Sequence, residues 1–372
     1  MAISAPRQNN GADRLPKNVH LASERDKEEW DRFVDCEGGS FFHYFEWKYI
    51  YENRGQNRYI PLMIRDTAGG IAGIFPVVEQ PGPVYPSLSS LPEGASDGFL
   101  VKNTLRSDEK DQIVREFLRY IDSNYSQSHA LFSLRHHLPF SPGYSAPSPI
   151  LIENGYRWKD NLSTRLPCTY VVPLDKQFRE KVFRSMAKNL RNRLRHGKKC
   201  GVEVIIDENF AYFDEIARMH IDMVKKFGMI RRKEDYDQIL RVFRKKIKLF
   251  VGLVGSEPIT ALLTYYTPTA AYAAIGPYNS KAAPYQNNIL PMCASIRDAC
   301  YSGYRYYDMG ITQTPSLAAY KEKFGATRVP MMIYQKRFSR FKLVANKTGG
   351  TISRNGRKIL DLLKLQRGNR LS

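Results

Sequence analysis

The sequence has no run of about 18 apolar residues, the minimum for a helix that crosses a bilayer. Its longest apolar stretch, around Leu249 to Tyr266, is broken by Gly252, Gly255, Glu257 and Pro258. The first twenty residues are polar and have no apolar centre, so they read as a mobile arm rather than a secretory leader, and the cytoplasm is the expected address. The five cysteines (Cys36, Cys168, Cys200, Cys293, Cys300) form no CxxC pair, which argues against a disulfide framework and a zinc knuckle; buried reduced thiols are expected. His136 and His137 are the only adjacent histidines and have no acid or cysteine at ligand spacing, so no metal is expected. No G-x-S-x-G occurs, which argues against hydrolysis through an acyl-serine.

Acidic residues are also scarce, with 37 Asp and Glu against 57 Lys and Arg among 372 residues, a net charge of +20. The excess is concentrated: ten basic residues against one acidic over 176–200, ten against three over 225–248, and eleven against one over 336–372. The rest of the chain is therefore net acidic. Three basic strips on such a body suit a polyanion-binding surface, although solvated helix faces compete with that reading. A hydrophobic content of 42% and aromatic content of 12% suit a globular chain, and the length suits two domains.

The apolar pattern predicts helices over 25–36, 43–54 and 108–123, a hairpin of 59–65 with 71–78, a loop over 81–98 and a strand over 129–135. The second half repeats that order. Phe178, Val182, Met186, Leu190 and Leu194 recur every four residues, so 176–200 reads as one amphipathic helix with Arg191, Arg195 and Lys198 along an edge that could track phosphates. Helices over 211–226 and 235–248, a hairpin of 249–254 with 259–267 and a strand over 270–275 follow. A helix capped near Asn288, a strand over 304–309, a short helix from Pro315 to Phe324 begun by Thr314, and a strand over 329–336 complete the set. On the short helix Leu317, Tyr320, Lys321 and Phe324 share one face. Lys321 is thus either a lysine facing a cleft or one whose stem merely covers apolar neighbours.

This order, occurring twice, is that of the GNAT acyltransferase fold. The expected architecture is α+β: two tandem GNAT-like domains, each a twisted mixed sheet flanked by helices, over 21–165 and 166–338, with a basic helical tail over 339–372. Several stretches resemble the FemAB-like branch of that superfamily: SFFHYFEWKYIYENRG, GIFPVV, LSSLPEGASDGFLV, FRSMAKNLRNRLRHGKKCGVEV, CASIRDACYSGYRYYDMGI and YKEKFGA. The resemblance implies transfer of an aminoacyl or acyl group onto an amine of an envelope precursor, peptide or sugar, from aminoacyl-tRNA or acyl-CoA and with no bound cofactor. It aligns Lys321 with the family's lysine and puts Tyr320 where a Phe is usual.

Lys321, Asp308 and Tyr320 are then the expected catalytic group, with Lys321 neutralising an oxyanion or holding a donor phosphate. Asp308 either receives the proton of the amine or forms a turn. Arg191, Arg195 and Lys198 would hold donor phosphates, and Ser89, Ser90 and Asp97 in the long loop would contact the acceptor. Residues 279–288 contain no glycine, so the glycine-bearing loop by which GNAT enzymes hold the CoA pyrophosphate is absent there, which leans away from CoA. The basic tail would meet transfer RNA or an anionic membrane surface. A non-catalytic nucleic-acid-binding protein is the alternative from outside the enzymes.

Overall fold

A computed structural model describes residues 19–55, 57–90, 98–136, 148–159, 167–279, 281–282 and 288–349. The first half contains β1 (His20–Leu21), α1 (Lys27–Cys36), α2 (Trp47–Glu52), β2 (Arg58–Arg65), β3 (Ile71–Gln80), β4 (Ser87–Ser89), β5 (Leu100–Val101), α3 (Ser107–Tyr125), β6 (Leu131–His136), α4 (Pro149–Glu153) and β7 (Arg157–Lys159). The second contains β8 (Cys168–Pro173), α5 (Lys188–Lys199), β9 (Val202–Ile206), α6 (Phe213–Lys225), α7 (Lys233–Phe243), β10 (Ile247–Val254), β11 (Glu257–Tyr266), β12 (Ala270–Ile275), α8 (Ile289–Tyr301), β13 (Tyr306–Thr312), α9 (Pro315–Glu322), β14 (Thr327–Pro330) and β15 (Met332–Arg337). A last helix, α10, covers 340–349. Among the described residues no helix is long and apolar enough to cross a membrane.

The strands form two mixed sheets flanked by helices, the tandem GNAT architecture. The second runs β14-β8-β13-β12-β11-β10-β9. The first runs β1-β2-β3-β4-β6-β15-β7, with β5 also on β3. The strand expected over 329–336 is therefore two strands. β14 pairs with β8, but after Met331 the chain leaves that sheet and β15 inserts between β6 and β7 of the first. The boundary expected at 338 is corrected accordingly, because Met332–Arg337 belongs structurally to the first half. Alternating apolar residues define a strand but not the sheet that takes it. α10 stays with the first half: the Asn346 amide accepts from the Val84 and Tyr85 N–H groups at 3.1 and 2.8 Å and donates to the Tyr85 carbonyl at 2.9 Å.

The helix expected over 176–200 is broken. A π-helical turn (Phe178–Phe183) leads to an extended Ala187 (ψ 140°), and α5 starts afresh at Lys188. Arg191 reaches back to the Arg184 carbonyl at 2.9 Å and to that of Met186, while the Ala187 N–H donates to the Lys323 carbonyl at 2.8 Å. The apolar period continues across the break because Val182, Met186, Leu190 and Leu194 all enter the same core. The cysteines are free, but Cys36 and Cys200 are exposed, contrary to the expected burial of all five.

The two halves share one core. Phe41, Trp47 and Tyr51 of the first half are buried with Tyr236, Phe243 and Tyr265 of the second. The Phe41 ring stacks on Tyr265 with centroids 4.3 Å apart. Lys246 lies 3.2 Å from the centre of the Tyr44 ring and within 3.8 Å of Asp31 and 3.7 Å of Glu46, carboxylates that Lys27 also holds at 2.7 Å.

Tyr334 of β15 is buried and its hydroxyl accepts from the Ser148 N–H at 2.8 Å. Tyr334→Ala should cost about 3–5 kcal/mol by loss of a large buried ring. Denaturant unfolding followed by fluorescence checks this; a cost below about 1 kcal/mol would mean that β15 does not hold the first sheet together.

Candidate active site

The site begins where two strands part. β12 and β13 run parallel and pair at Ala270–Tyr306, Ala271–Tyr307 and Tyr272–Asp308. Beyond that point Ala273, Ala274 and Ile275 on one strand and Met309, Gly310 and Ile311 on the other line a cavity of about 520 Å³. The parting coincides with a bulge in β13 between Asp308 and Ile311, where pairing with β8 shifts register. Gly310 makes the bulge possible: its φ is +78°, and a Cβ there would lie 3.3 Å from the Ala273 carbonyl oxygen. At the equivalent junction of the first sheet, between the parallel strands β4 and β6, bonding continues through the last described residue there, Ser90. The Ser90 N–H donates to the Ser133 carbonyl at 3.0 Å, and the Ser90 hydroxyl accepts from the Arg135 N–H at 2.8 Å.

α9 brings Lys321 and Tyr320 to the open junction. Thr314 caps this helix by accepting from the Leu317 N–H at 3.3 Å, with Pro315 at its first position. The Lys321 side chain is buried, and its ammonium donates to the carbonyls of Gly310 at 2.6 Å and Ile311 at 3.1 Å. Two of its three N–H bonds are thus spent on strand carbonyls left by the bulge, and the third has no partner among the described residues. Burial pushes its pKa down to about 8, against the pull of the Asp308 carboxylate. Most of the lysine population is still charged at pH 7. The Tyr320 hydroxyl donates to Asn288 Oδ1 at 3.0 Å, and burial holds it well above the usual phenol range. Asn288 stands before α8 as expected, but its side chain serves Tyr320 and does not cap the helix.

Asp308 plays the turn-forming part of the two considered. It is buried outside the cavity lining, and its Oδ1 accepts from the Gly310 N–H at 2.7 Å and the Thr169 hydroxyl at 2.5 Å. It braces the bulge on which Lys321 rests.

The remaining lining comes from the seam between the halves. Phe42, Trp47 and Arg54 of the first half meet His220, Arg231, Asp235, Tyr236 and Tyr265 of the second. Arg54 Nε lies 3.4 Å from Asp235 Oδ1, an ion pair across the seam. His220 Nδ1 lies 2.5 Å from the Tyr236 hydroxyl, and burial followed by the charge of Arg231 pushes the imidazole down to about 4, so it is neutral at physiological pH.

The structure brings together Lys321 and Tyr320, with Asp308 behind them. Among the described residues the expected phosphate and acceptor groups do not line the cavity. Arg191 caps the broken helix, and Arg195 and Lys198 point to solvent, Arg195 donating to Asn192 at 2.9 Å. The α5 arginine whose charge is felt at Tyr320 is Arg193. Ser89 and Ser90, expected to contact the acceptor, are buried in the first sheet and bonded to backbone; Asp97 lies outside the described residues. Missed from the sequence were Arg54, His220, Asp235 and Tyr236. They come from separate elements and have no common spacing, and Arg231 showed only as part of a basic strip.

Residues 184–322 match the family model described as an acetyltransferase (GNAT) domain. Among solved structures the chain is similar to one described as "Crystal structure of FemX", with a TM-score of 0.66 and 13% identity, covering 85% of this chain and 96% of that one. It is similar also to "Tandem GNAT protein from the clavulanic acid biosynthesis pathway", with a TM-score of 0.52 and 11% identity, covering 87% and 99%. A third is "The structure of L-PGS from Bacillus licheniformis", with a TM-score of 0.52 and 15% identity, covering 91% and 99%. No curated protein matches by sequence. The fold is the tandem GNAT fold. More particularly, it is shared with FemX, and residues 184–322 within the second half match the GNAT acetyltransferase domain model.

Lys321 has a folded pKa of about 8 against a usual 10.5, so the unfolded chain binds more protons between those values. Stability should therefore rise as pH passes from 8 toward 10.5, and below pH 8 the buried ammonium costs up to about 3 kcal/mol. Urea unfolding of the wild type and Lys321→Met at pH 7 and pH 10 checks this. The difference should move by about 2 kcal/mol in favour of the wild type at the higher pH, and no movement would put the ammonium in open water.

Proposed function

We propose that the protein is an N-acyltransferase in which an amine attacks an activated ester or thioester carbonyl directly, with no acyl-enzyme. The observation that carries this reading is the buried Lys321 ammonium, held by two carbonyls with one N–H to spare, on the wall of a cavity opened by parted strands. A carbonyl oxygen placed against that N–H gains negative charge as the amine adds, and a fixed ammonium in a dry site stabilises the developing charge more than the neutral ground state. The strand edge of β12 facing the cavity suits an extended, amide-like donor arm.

The attacking nitrogen must lose a proton, and the neutral His220 imidazole on the same lining can accept it, although burial makes it a weak base. Tyr320 keeps its proton and can hand it to the leaving oxygen or sulfur. Orientation of the two reactants supplies much of the remaining acceleration, because the donor is already activated. The seam residues contributed by both halves are where the acceptor sits, with Arg54, Arg231 and Asp235 offering it charge.

Aminoacyl-tRNA is the donor that the glycine-free 279–288 segment favours, and an amine of an envelope precursor, peptide or sugar is the acceptor. The second reading, an acyl-CoA-dependent N-acetyltransferase acting in polysaccharide synthesis, is supported by the acetyltransferase family model over 184–322. Thermal unfolding with each donor separates them: a ligand at 100 times its Kd adds about 2.7 kcal/mol of stability. Protection by charged tRNA and not by acetyl-CoA supports the first reading, and the reverse result the second.

Lys321→Met should lower turnover by about 10²–10³-fold with a small change in KM, the size expected for loss of one oxyanion donor. Steady-state kinetics with the identified donor checks it. Unchanged turnover would remove the ammonium from the chemistry.

A further inference from the structure

The loop between α6 and α7 holds apolar side chains out in water. Phe227 is 71% exposed, Met229 47% and Ile230 92%, so three of the large exposed apolar residues fall within four positions. The loop is not slack. The Met229 N–H donates to the Val224 carbonyl at 3.2 Å and the Gly228 N–H to that of Lys225 at 3.0 Å, with Gly228 at φ +72°, the closed left-handed ending of a helix. The other end is tied across the seam, where Arg232 donates to the Asn53 carbonyl at 3.3 Å. A tethered loop that keeps its apolar tip exposed loses the option of folding it inward.

The surroundings identify what covers that tip. Between 225 and 233 stand Lys225, Lys226, Arg231, Arg232 and Lys233 with no acidic residue. Lys233 is paired with Asp214 at 3.0 Å and Asp237 at 2.8 Å, but the exposed Lys225 and Lys226 have no ion pair among the described residues. Three adjacent side chains offer too little area for a stable protein interface, which buries roughly 800 Å² per partner. An anionic bilayer needs only a small apolar tip and a cationic collar. Arg231, next to the tip, lines the cavity, so a surface met by the loop is met at the cavity's rim.

We propose that residues 225–232 dock the protein on anionic lipid bilayers, with Phe227 and Ile230 entering the boundary between headgroups and acyl chains and Lys225 and Lys226 pairing with lipid phosphates. The cavity then opens toward the membrane, and its amine acceptor is a membrane-borne one. The second statement rests on the acyltransferase reading; the docking does not.

Sedimentation with vesicles of phosphatidylglycerol and phosphatidylcholine, against phosphatidylcholine alone, tests the docking without turnover. The full chain should bind the anionic vesicles and release as salt rises. Phe227→Ser with Ile230→Ser should weaken binding about tenfold or more, and Lys225→Gln with Lys226→Gln should weaken it and flatten the salt dependence. All four positions are exposed, so circular dichroism melts should be unchanged. Absence of vesicle binding, or binding equal in the Phe227→Ser/Ile230→Ser variant, overturns the proposal. So does a concentration-dependent dimer that this variant abolishes, which would make a second copy the occupant. Vesicle binding without acyl transfer to any amine would leave the docking standing and remove the enzymatic reading.

Discussion

The structure turns on the early end of pairing between β12 and β13. Two parallel strands that stop bonding expose backbone groups, and buried carbonyls without donors are costly. Here the bulge at Gly310 creates the problem and the Lys321 ammonium answers it, donating to the Gly310 and Ile311 carbonyls, while Asp308 and Thr169 pin the bulge from behind. The same contact fixes the cation on the cavity wall, where the proposed reaction would use it. Structural and chemical demands therefore fall on one side chain, and the site costs the fold less than an isolated buried ammonium would.

Each half has the same kind of parallel junction, and among the described residues the second is the one that opens. In the first sheet Ser90 extends the β4–β6 ladder with its backbone and hydroxyl. In the second, the bulge and the glycine hold the strands apart. The first half contributes differently, supplying Phe42, Trp47 and Arg54 as a wall and Phe41 as part of a continuous core. The duplication has thus produced one cavity with two makers, a common place for ligand sites.

Much of this was legible in the sequence wherever a local rule decided the outcome. Thr314 and Pro315 marked the start of α9, and the spacing of Leu317, Tyr320, Lys321 and Phe324 put the lysine at the edge of an apolar face, where the structure has it buried. The hairpins and the repeated order of elements followed from period and turn residues. What escaped depended on contacts distant in sequence. The period through Met186 and Leu190 does not record that Ala187 bonds to Lys323, so a broken helix read as one. The short strand Cys168–Pro173 lies between β14 and β13 and left no turn signal of its own. Arg191 looked like a phosphate ligand because a basic edge cannot show that a guanidinium is needed by carbonyls one turn back. The seam residues were hidden because two separate helices and a loop of the other half assemble them.

The insertion of β15 between β6 and β7 also bears on how the chain is made. The first sheet is completed by residues that leave the ribosome after the whole second half. Among the described residues β7 has no neighbour in that sheet other than β15, and α10 follows at once to close over Val84 and Tyr85. The β6 edge thus stays open while the roughly 200 residues from β6 to β15 are made, a state that invites intermolecular pairing and chaperone capture. The first sheet is therefore complete only once the second half has been made.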